Sequence, residues 1–258
     1  MTEGQIDPMS PIRLESEALS VLCDPDTRFP LEMDSEHLRN TATGRVFPLR
    51  NGIPLFVSTL TGSNLRNLML YERLAASYDL AEGLRRWVTF SPDHRPELLS
   101  ALEIKSGDRV LEVGAGTGAS LPFLPADISF FGVDLSWNML RKCQRKARRL
   151  RRKAHLFQGE AEHLPFQGEV FDSVFHVGGI LGFTDPARAI KEMIWVAKPG
   201  AKIVIVDELD KRHRMGKTPG SGNHDAGGLL QSVPEEMREV HAAELVGGRY
   251  FCLSFRKP

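Results

Sequence analysis

The chain has 258 residues, of which 41% are hydrophobic and 26% charged, enough to bury one full core and a smaller second one. The chain has 33 Lys and Arg residues and 33 Asp and Glu residues, so its formal net charge is zero. This excludes attraction of the whole protein to nucleic acid or anionic lipid by net charge. The three cysteines are far apart and odd in number, which argues against a disulfide framework. With neither a basic leader nor a long apolar run, we expect a cytoplasmic protein without a transmembrane segment.

The first 60 residues predict a small β-rich module. Short apolar segments alternate with Asn-Gly and Pro turns, most clearly over residues 44–57, and this pattern is typical of short strands. In residues 61–107, apolar side chains recur near a period of 3.6. They predict a helical linker that also covers the site formed by the rest of the chain.

From residue 108 to 258, short apolar segments alternate with helical stretches. The alternation predicts an α/β fold, a doubly wound and mostly parallel Rossmann-like sheet with helices on both faces. Two apolar segments around Gly247-Gly248 predict a C-terminal antiparallel hairpin, which completes seven strands. Residues 211–231 show no clear period and predict a loop. The predicted strands are 109–113, 128–134, 154–158, 170–177 and 202–207, and the predicted helices are 119–124, 137–153 and 187–197.

A glycine-rich loop follows the first of these strands. Gly114, Gly116 and Gly118 precede a helical segment, where side chains would block both the turn and the approach of a ligand to the backbone. Asp134 ends the next strand, where its carboxylate can accept hydrogen bonds from both hydroxyls of a ribose. By itself this combination also fits a dinucleotide.

The wider pattern resembles the Rossmann-like, class I S-adenosylmethionine-dependent methyltransferases, especially their quinone- and small-molecule-modifying branch. The resemblance covers about residues 64–258. It implies S-adenosyl-L-methionine as the cofactor and in-line methyl transfer to a small organic or lipid-like, quinone-type acceptor. The segments that carry it are 110–118, 132–140, 159–166, 171–174 and 198–200.

The resemblance also implies roles for individual residues. Glu112 is expected to organise the loop around the methionine ammonium of the cofactor, and Asp134 to hold the ribose. Tyr78 is expected on a helix that covers the cofactor. The other residues expected to bind the cofactor are Gly114, Ala115 and Gly116 in the loop, Leu135 after Asp134, and Glu160 and Ala161 at the adenine.

Methyl transfer from a sulfonium requires alignment and desolvation rather than a metal. The eight histidines show no paired spacing typical of metal ligands. A general base is needed only where the acceptor holds its proton, and His163 and His176 are the candidates by position, since histidine titrates near neutral pH. Residues 178–183 lack the Asn/Asp-Pro-Pro-Tyr signature of enzymes that methylate amino groups of nucleobases and glutamine, and their apolar character favours a small or lipid-like acceptor.

The N-terminal module resembles the small zinc-ribbon domain of methyltransferase-activator proteins, through residues 44–48 and 51–56. That family often carries four thiolates. Here Cys23 alone remains, so we expect a metal-free fold. The residues at the other three places are Asp26, Asn40 and Thr43.

A basic segment leaves alternatives open. Nine of the thirteen residues 141–153 are Lys or Arg, yet apolar residues recur there at helical spacing, so a solvated crossover helix competes with a contact to RNA or a peripheral membrane contact. The alternative functions are an RNA methyltransferase that docks through this helix and a non-catalytic methyltransferase adaptor. A nicotinamide dehydrogenase is disfavoured because its Tyr-x-x-x-Lys pair is missing. No sequence feature predicts an oligomeric state.

Overall fold

The computed structural model describes residues 14–34, 36–57, 60, 62–74, 95–209 and 226–258. Residues 75–94 of the predicted lid, Tyr78 included, lie outside the described residues. Within the described residues no helix is long and apolar enough to cross a membrane.

The N-terminal module is a four-stranded antiparallel sheet whose strands pair in chain order. Asn51 and Gly52, with φ of 50° and 77°, form the last turn, because Asn and Gly adopt left-handed backbone with little strain. The predicted β-rich module is confirmed. Its elements are helix α1 (Ser16–Leu19) and strands β1 (Leu31–Met33), β2 (His37–Asn40), β3 (Val46–Arg50) and β4 (Ile53–Pro54).

A hydrogen-bond network joins two turns of this module. Buried Asp24 accepts hydrogen bonds from the Asn40 amide at 2.8 Å and from the Asp26 backbone N–H at 2.9 Å, and Arg45 lies 3.4 Å from it. Burial raises the pKa of Asp24, but the bonds from Asn40 and the backbone outweigh burial and hold that pKa below its usual value. Burial raises the pKa of the Cys23 thiol to about 11, so Cys23 is not a thiolate at neutral pH.

The large sheet has seven strands in the order β10-β11-β9-β8-β5-β6-β7. Strands β5 to β9 are parallel, and β11 and β10 close the sheet as an antiparallel pair, so the predicted fold class is confirmed. The strand order reverses at β5, which lies between β6 and β8. The strands are β5 (Arg109–Val113), β6 (Ser129–Asp134), β7 (Ala154–Gln158), β8 (Phe171–Val177), β9 (Ala197–Glu208), β10 (Arg238–Leu245) and β11 (Tyr250–Arg256).

The described helices differ from the prediction at three places. Residues 119–124 form only a 3-10 turn, Leu121–Phe123, because Leu124, which precedes Pro125, has extended backbone and ends the turn. Helix α4 ends at Arg149 and not at residue 153. The backbone becomes left-handed two residues after the helix end, at Arg151. Part of the predicted 211–231 loop is helical. The helices after α1 are α2 (Gly62–Leu74), α3 (Arg95–Leu99), α4 (Trp137–Arg149), α5 (Pro186–Val196) and α6 (Ala226–Gln231).

The N-terminal module packs directly on the large sheet. The Phe56 N–H donates to the Gln158 carbonyl at 2.8 Å, which continues the sheet beyond β7. An ion pair joins Arg28 of the module to Glu192 of α5, and both also bond the backbone of Leu164. Beneath this junction lies a buried cluster of aromatic rings with edge-to-face contacts, formed by Phe131, Phe157, Phe166 and Phe171.

We predict that the Asp24 network stabilises the module without a metal. Asp24→Ala should lower the free energy of unfolding by about 2 to 3 kcal/mol, because it leaves buried donors unpaired. Asp34→Ala is the matched control: Asp34 accepts two similar backbone bonds but is only partly buried, so the unfolding midpoint of this variant should stay close to that of the parent. Zinc that copurifies at one ion per chain, with a chelator that lowers the midpoint, would contradict this account.

Candidate functional site

The carboxyl ends of β5, β6 and β8 border a cavity of about 130 Å³ at the reversal of strand order. Ligands of open α/β sheets bind at this point, because the loops leave the sheet in opposite directions there. The cavity wall includes residues from the loops after β5, β6, β7 and β8 and from helices α2 and α3.

The glycine loop after β5 forms the floor of the cavity. Gly114, Gly116 and Gly118 all have left-handed backbone, with φ of 75°, 53° and 71°. A Cβ on Gly118 would lie 2.7 Å from the Cys143 sulfur, and one on Gly114 would lie 3.1 Å from the His176 ring. A Cβ on Gly116 would meet only the Gly114 carbonyl, at 4.0 Å. Packing therefore requires glycine at positions 114 and 118, whereas the space beside Gly116 is open to a ligand.

Asp134 connects the end of β6 to the glycine loop. Its Oδ2 accepts the Gly116 N–H at 2.8 Å, and its Oδ1 accepts the Ser136 N–H at 2.8 Å. Ser136 then caps α4, because its hydroxyl accepts the Met139 N–H. A carboxylate has about four acceptor positions, so it can hold this backbone and still accept hydrogen bonds from a ligand.

Glu112 lies under the loop and is 3% exposed. Its Oε1 accepts a hydrogen bond from the Ser120 hydroxyl at 2.7 Å, while its Oε2 has no partner among the described residues. Burial raises the pKa of Glu112 to about 8, against the lowering effect of the Ser120 bond. At neutral pH the carboxyl is mostly protonated, and a cation placed at Oε2 would favour its ionised form.

His176 lies across the loop from Glu112 and is 1% exposed. Its Nδ1 lies 2.7 Å from the Val113 carbonyl, which can only accept, so Nδ1 carries the ring proton. Nε2 therefore has a lone pair, and it has no partner within the described part of the chain. Burial lowers the pKa of His176 although nearby Asp207 raises it, so the ring is neutral at neutral pH. Phe183 packs edge-on against it.

The start of α2 is fixed at the edge of the cavity by a buried amide. The Asn64 Nδ2 donates to Glu162 at 3.0 Å and to Glu160 at 3.3 Å, and the Asn64 backbone N–H donates to the Thr184 hydroxyl. Burial raises the pKa of Glu160, and the bond from Asn64 opposes that rise. Asn67, one turn along α2, donates to the Gly182 carbonyl and lines the cavity.

Most residues predicted from the sequence lie together in the cavity wall. Glu160 and His163 do not line it; Glu160 bonds α2 instead, and the His163 N–H donates to the Glu160 carbonyl at 3.2 Å. Tyr78 lies outside the described residues. The predicted residues in the wall are Glu112, Gly114, Ala115, Gly116, Asp134, Leu135, Ala161 and His176.

Sequence reasoning missed several wall residues. Arg95 reaches the cavity from α3, in a segment that carries no motif, and only its charge in a predicted lid could have drawn attention to it. Phe183 belongs to the apolar segment noted after β8, which is the signal that could have found it. Asn67 carries no comparable signal, because its position depends on how α2 packs, whereas Glu162 lies within segment 159–166, which carries the resemblance.

Two known methyltransferases are similar to this chain in sequence. The chain is 30% identical over 145 residues to the demethylmenaquinone methyltransferase of Paenarthrobacter aurescens, with 54% of this chain and 53% of that protein covered. It thus spans about half the length of that relative. It is 31% identical over 138 residues to the phosphatidylethanolamine N-methyltransferase of Cereibacter sphaeroides, with 50% and 68% covered.

A solved structure has the same fold. It is phosphoethanolamine N-methyltransferase 2 of Haemonchus contortus in complex with S-adenosyl-L-methionine, with a TM-score of 0.62, 14% identity, and coverage of 82% of this chain and 62% of that one. Residues 111–205, which include the glycine loop, Asp134 and His176, match the family described as methyltransferase domain. The chain therefore belongs to this methyltransferase-domain family, the S-adenosylmethionine-dependent class I methyltransferases.

Proposed function

We propose that this protein transfers the methyl group of S-adenosylmethionine to a small organic or lipid-like acceptor of the quinone type. The observation that carries the proposal is that Glu112, Asp134 and the open backbone at Gly116 line the same cavity. S-adenosylmethionine supplies a methyl group on a sulfur that already bears positive charge, so the protein has mainly to align the reactants and exclude water.

The cavity has a group suited to each polar part of the cofactor. The unpartnered Oε2 of Glu112 suits the methionine ammonium, and Asp134, fixed by two backbone bonds, suits the ribose hydroxyls. The Arg95 guanidinium lines the same cavity and suits the methionine carboxylate. Glu160 and Ala161 remain the residues proposed for the adenine.

The acceptor would lie beside the loop after β8. His176, Gly179 and Phe183 line that part of the cavity, a mixture of apolar surface and one neutral ring nitrogen. The names of the two relatives, which concern demethylmenaquinone and phosphatidylethanolamine, support an apolar acceptor. An acceptor that loses a proton can give it to Nε2 of His176, and nearby Asp207 would stabilise the resulting cation.

A non-catalytic adaptor is the second class of function left open by the N-terminal module. An adaptor has no need for groups suited to an ammonium, a ribose and a proton in one cavity, and Glu112, Asp134 and His176 of this cavity wall are suited to these three roles. We therefore favour the enzyme, with the module as a metal-free support packed against β7 and α5.

Calorimetry tests the proposed cofactor. The parent should bind S-adenosylmethionine and S-adenosylhomocysteine but not NAD, and Asp134→Ala should weaken binding about 100-fold, because it removes charge-assisted bonds to the ribose and frees the Gly116 N–H. Asp127→Ala is the matched control, an exposed acid before the other end of β6. A parent that binds NAD alone, or an Asp134 variant that binds like the parent, refutes the assignment.

Glu112 makes cofactor binding depend on pH. Its pKa of about 8 means that the apo carboxyl must lose a proton to pair with the ammonium. The affinity should therefore rise with pH, by up to about tenfold per unit between roughly pH 6 and 7.5, below the pKa of the cofactor's own amine. Calorimetry in buffers of different ionisation enthalpy should show proton release. Glu112→Gln should bind more weakly, with no such rise and no release; the same slope in both proteins would contradict the role.

The two candidate bases can be separated by a pair of variants. His176→Asn keeps a side-chain N–H near the Val113 carbonyl but removes Nε2. Transfer of labelled methyl to demethylmenaquinol or phosphatidylethanolamine should fall about 100-fold or more in kcat, while affinity for S-adenosylhomocysteine changes less than about threefold. His163→Asn, outside the cavity wall, should retain parental kcat. Loss of activity in the His163 variant alone would transfer the role to that residue.

A further inference from the structure

Helix α4 has two chemically different faces. One face is buried and packs on the sheet through Trp137, Met139, Leu140, Cys143 and Ala147. The opposite side carries the exposed arginines of the helix and of the turn after it. We call these five side chains the basic face: Arg141, Arg145, Arg148, Arg149 and Arg151.

Two other cations of residues 141–153 bind groups of the protein itself. Lys153 pairs with Glu15 at 2.7 Å and Glu17 at 2.8 Å, and Arg152 donates to the carbonyls of Leu124 and Pro125. In contrast, none of the arginines of the basic face has an ion pair with a carboxylate in the described part of the chain. The protein as a whole is neutral, so this charge is a local concentration on one face.

At the end of α4 an arginine has a backbone conformation that is unfavourable for any residue with a side chain. Arg151 has φ of 52°, the left-handed position after a helix that glycine occupies at least cost. The Arg152 N–H donates to the Ala147 carbonyl and closes the helix end around it. The Arg151 N–H donates to the Arg148 carbonyl, so this turn keeps the exposed Arg151 next to Arg148.

Apolar side chains are exposed at the same end of α4. Leu150 is 36% exposed among the arginines. Phe123 is 40% exposed, and its loop is held against the helix end by the bonds from Arg152 to Leu124 and Pro125. Cations next to exposed apolar side chains suit a lipid interface, where the cations meet phosphates and the apolar groups enter the acyl boundary.

We propose that the basic face docks this protein on an anionic phospholipid bilayer, with Leu150 and Phe123 entering the interface. RNA offers the same phosphates, but Leu150 would gain nothing from a solvated polyanion, and within the described residues the face has no row of exposed rings on which bases could stack. This surface lies beyond the cofactor cavity, so its test needs no methyl transfer.

Sedimentation with vesicles tests the proposal. The full chain is mixed with vesicles of phosphatidylcholine alone or with about one third phosphatidylglycerol, at low and high salt. The parent should bind only the anionic vesicles, less at high salt. Arg145→Gln with Arg149→Gln should weaken partitioning about 30-fold, at roughly tenfold or less per arginine lost. Leu150→Gln should weaken it severalfold without changing the salt dependence.

The matched control is Lys105→Gln with Lys191→Gln, which removes two exposed cations elsewhere on the surface. It should bind vesicles within about twofold of the parent, and unfolding midpoints should show every variant folded. Equal loss in the control, equal binding to both vesicle types, or no binding by the parent would overturn the proposal. So would a single-stranded RNA bound more tightly than the anionic vesicles and lost in the same Arg145 and Arg149 variant.

Discussion

The site depends on one carboxylate that holds the glycine loop against the neighbouring strand. Asp134 accepts the N–H groups of Gly116 and Ser136, and through Ser136 it also fixes the start of α4. The loop has left-handed backbone at three alternate positions, each of them a glycine. Its path is determined by these hydrogen bonds and by the close packing of Gly114 and Gly118. The backbone at Gly116, which a ligand can approach, is therefore set before any ligand binds.

Glu112 and His176 are buried titratable groups beside this loop, and both are uncharged near neutral pH. Burial raises the pKa of Glu112 and lowers that of His176, so the acid holds its proton and the base lacks one near neutral pH. A cationic cofactor changes the balance at Glu112, whereas the Val113 carbonyl keeps the His176 tautomer fixed. The same burial thus serves two purposes, because it favours an ammonium at one side of the cavity and leaves a neutral proton acceptor at the other.

The strands, the glycine loop and Asp134 could be predicted because local patterns determine them: apolar alternation, glycine at positive φ and an acid at a strand end. What could not be predicted depends on distant contacts. Asp24, which no motif singles out, is the buried acid of the module, because its turn faces Asn40. Glu160 bonds Asn64 beside the cavity wall because α2 packs there, and Arg95 enters the wall for a similar reason. Pro125, which follows the extended Leu124 and limits the predicted 119–124 helix to a 3-10 turn, is a local signal present in the sequence.

The most direct measurement is a crystal structure of the full chain with S-adenosylhomocysteine, which has the cofactor's ribose and amino-acid end. The account predicts both ribose hydroxyls within about 3 Å of the Asp134 carboxylate. It also predicts the ligand's ammonium at Oε2 of Glu112, with the chain of the ligand crossing Gly116 and its sulfur on the side of His176. A nucleotide bound elsewhere, or bound in the cavity without contact to Asp134 and Glu112, would contradict it.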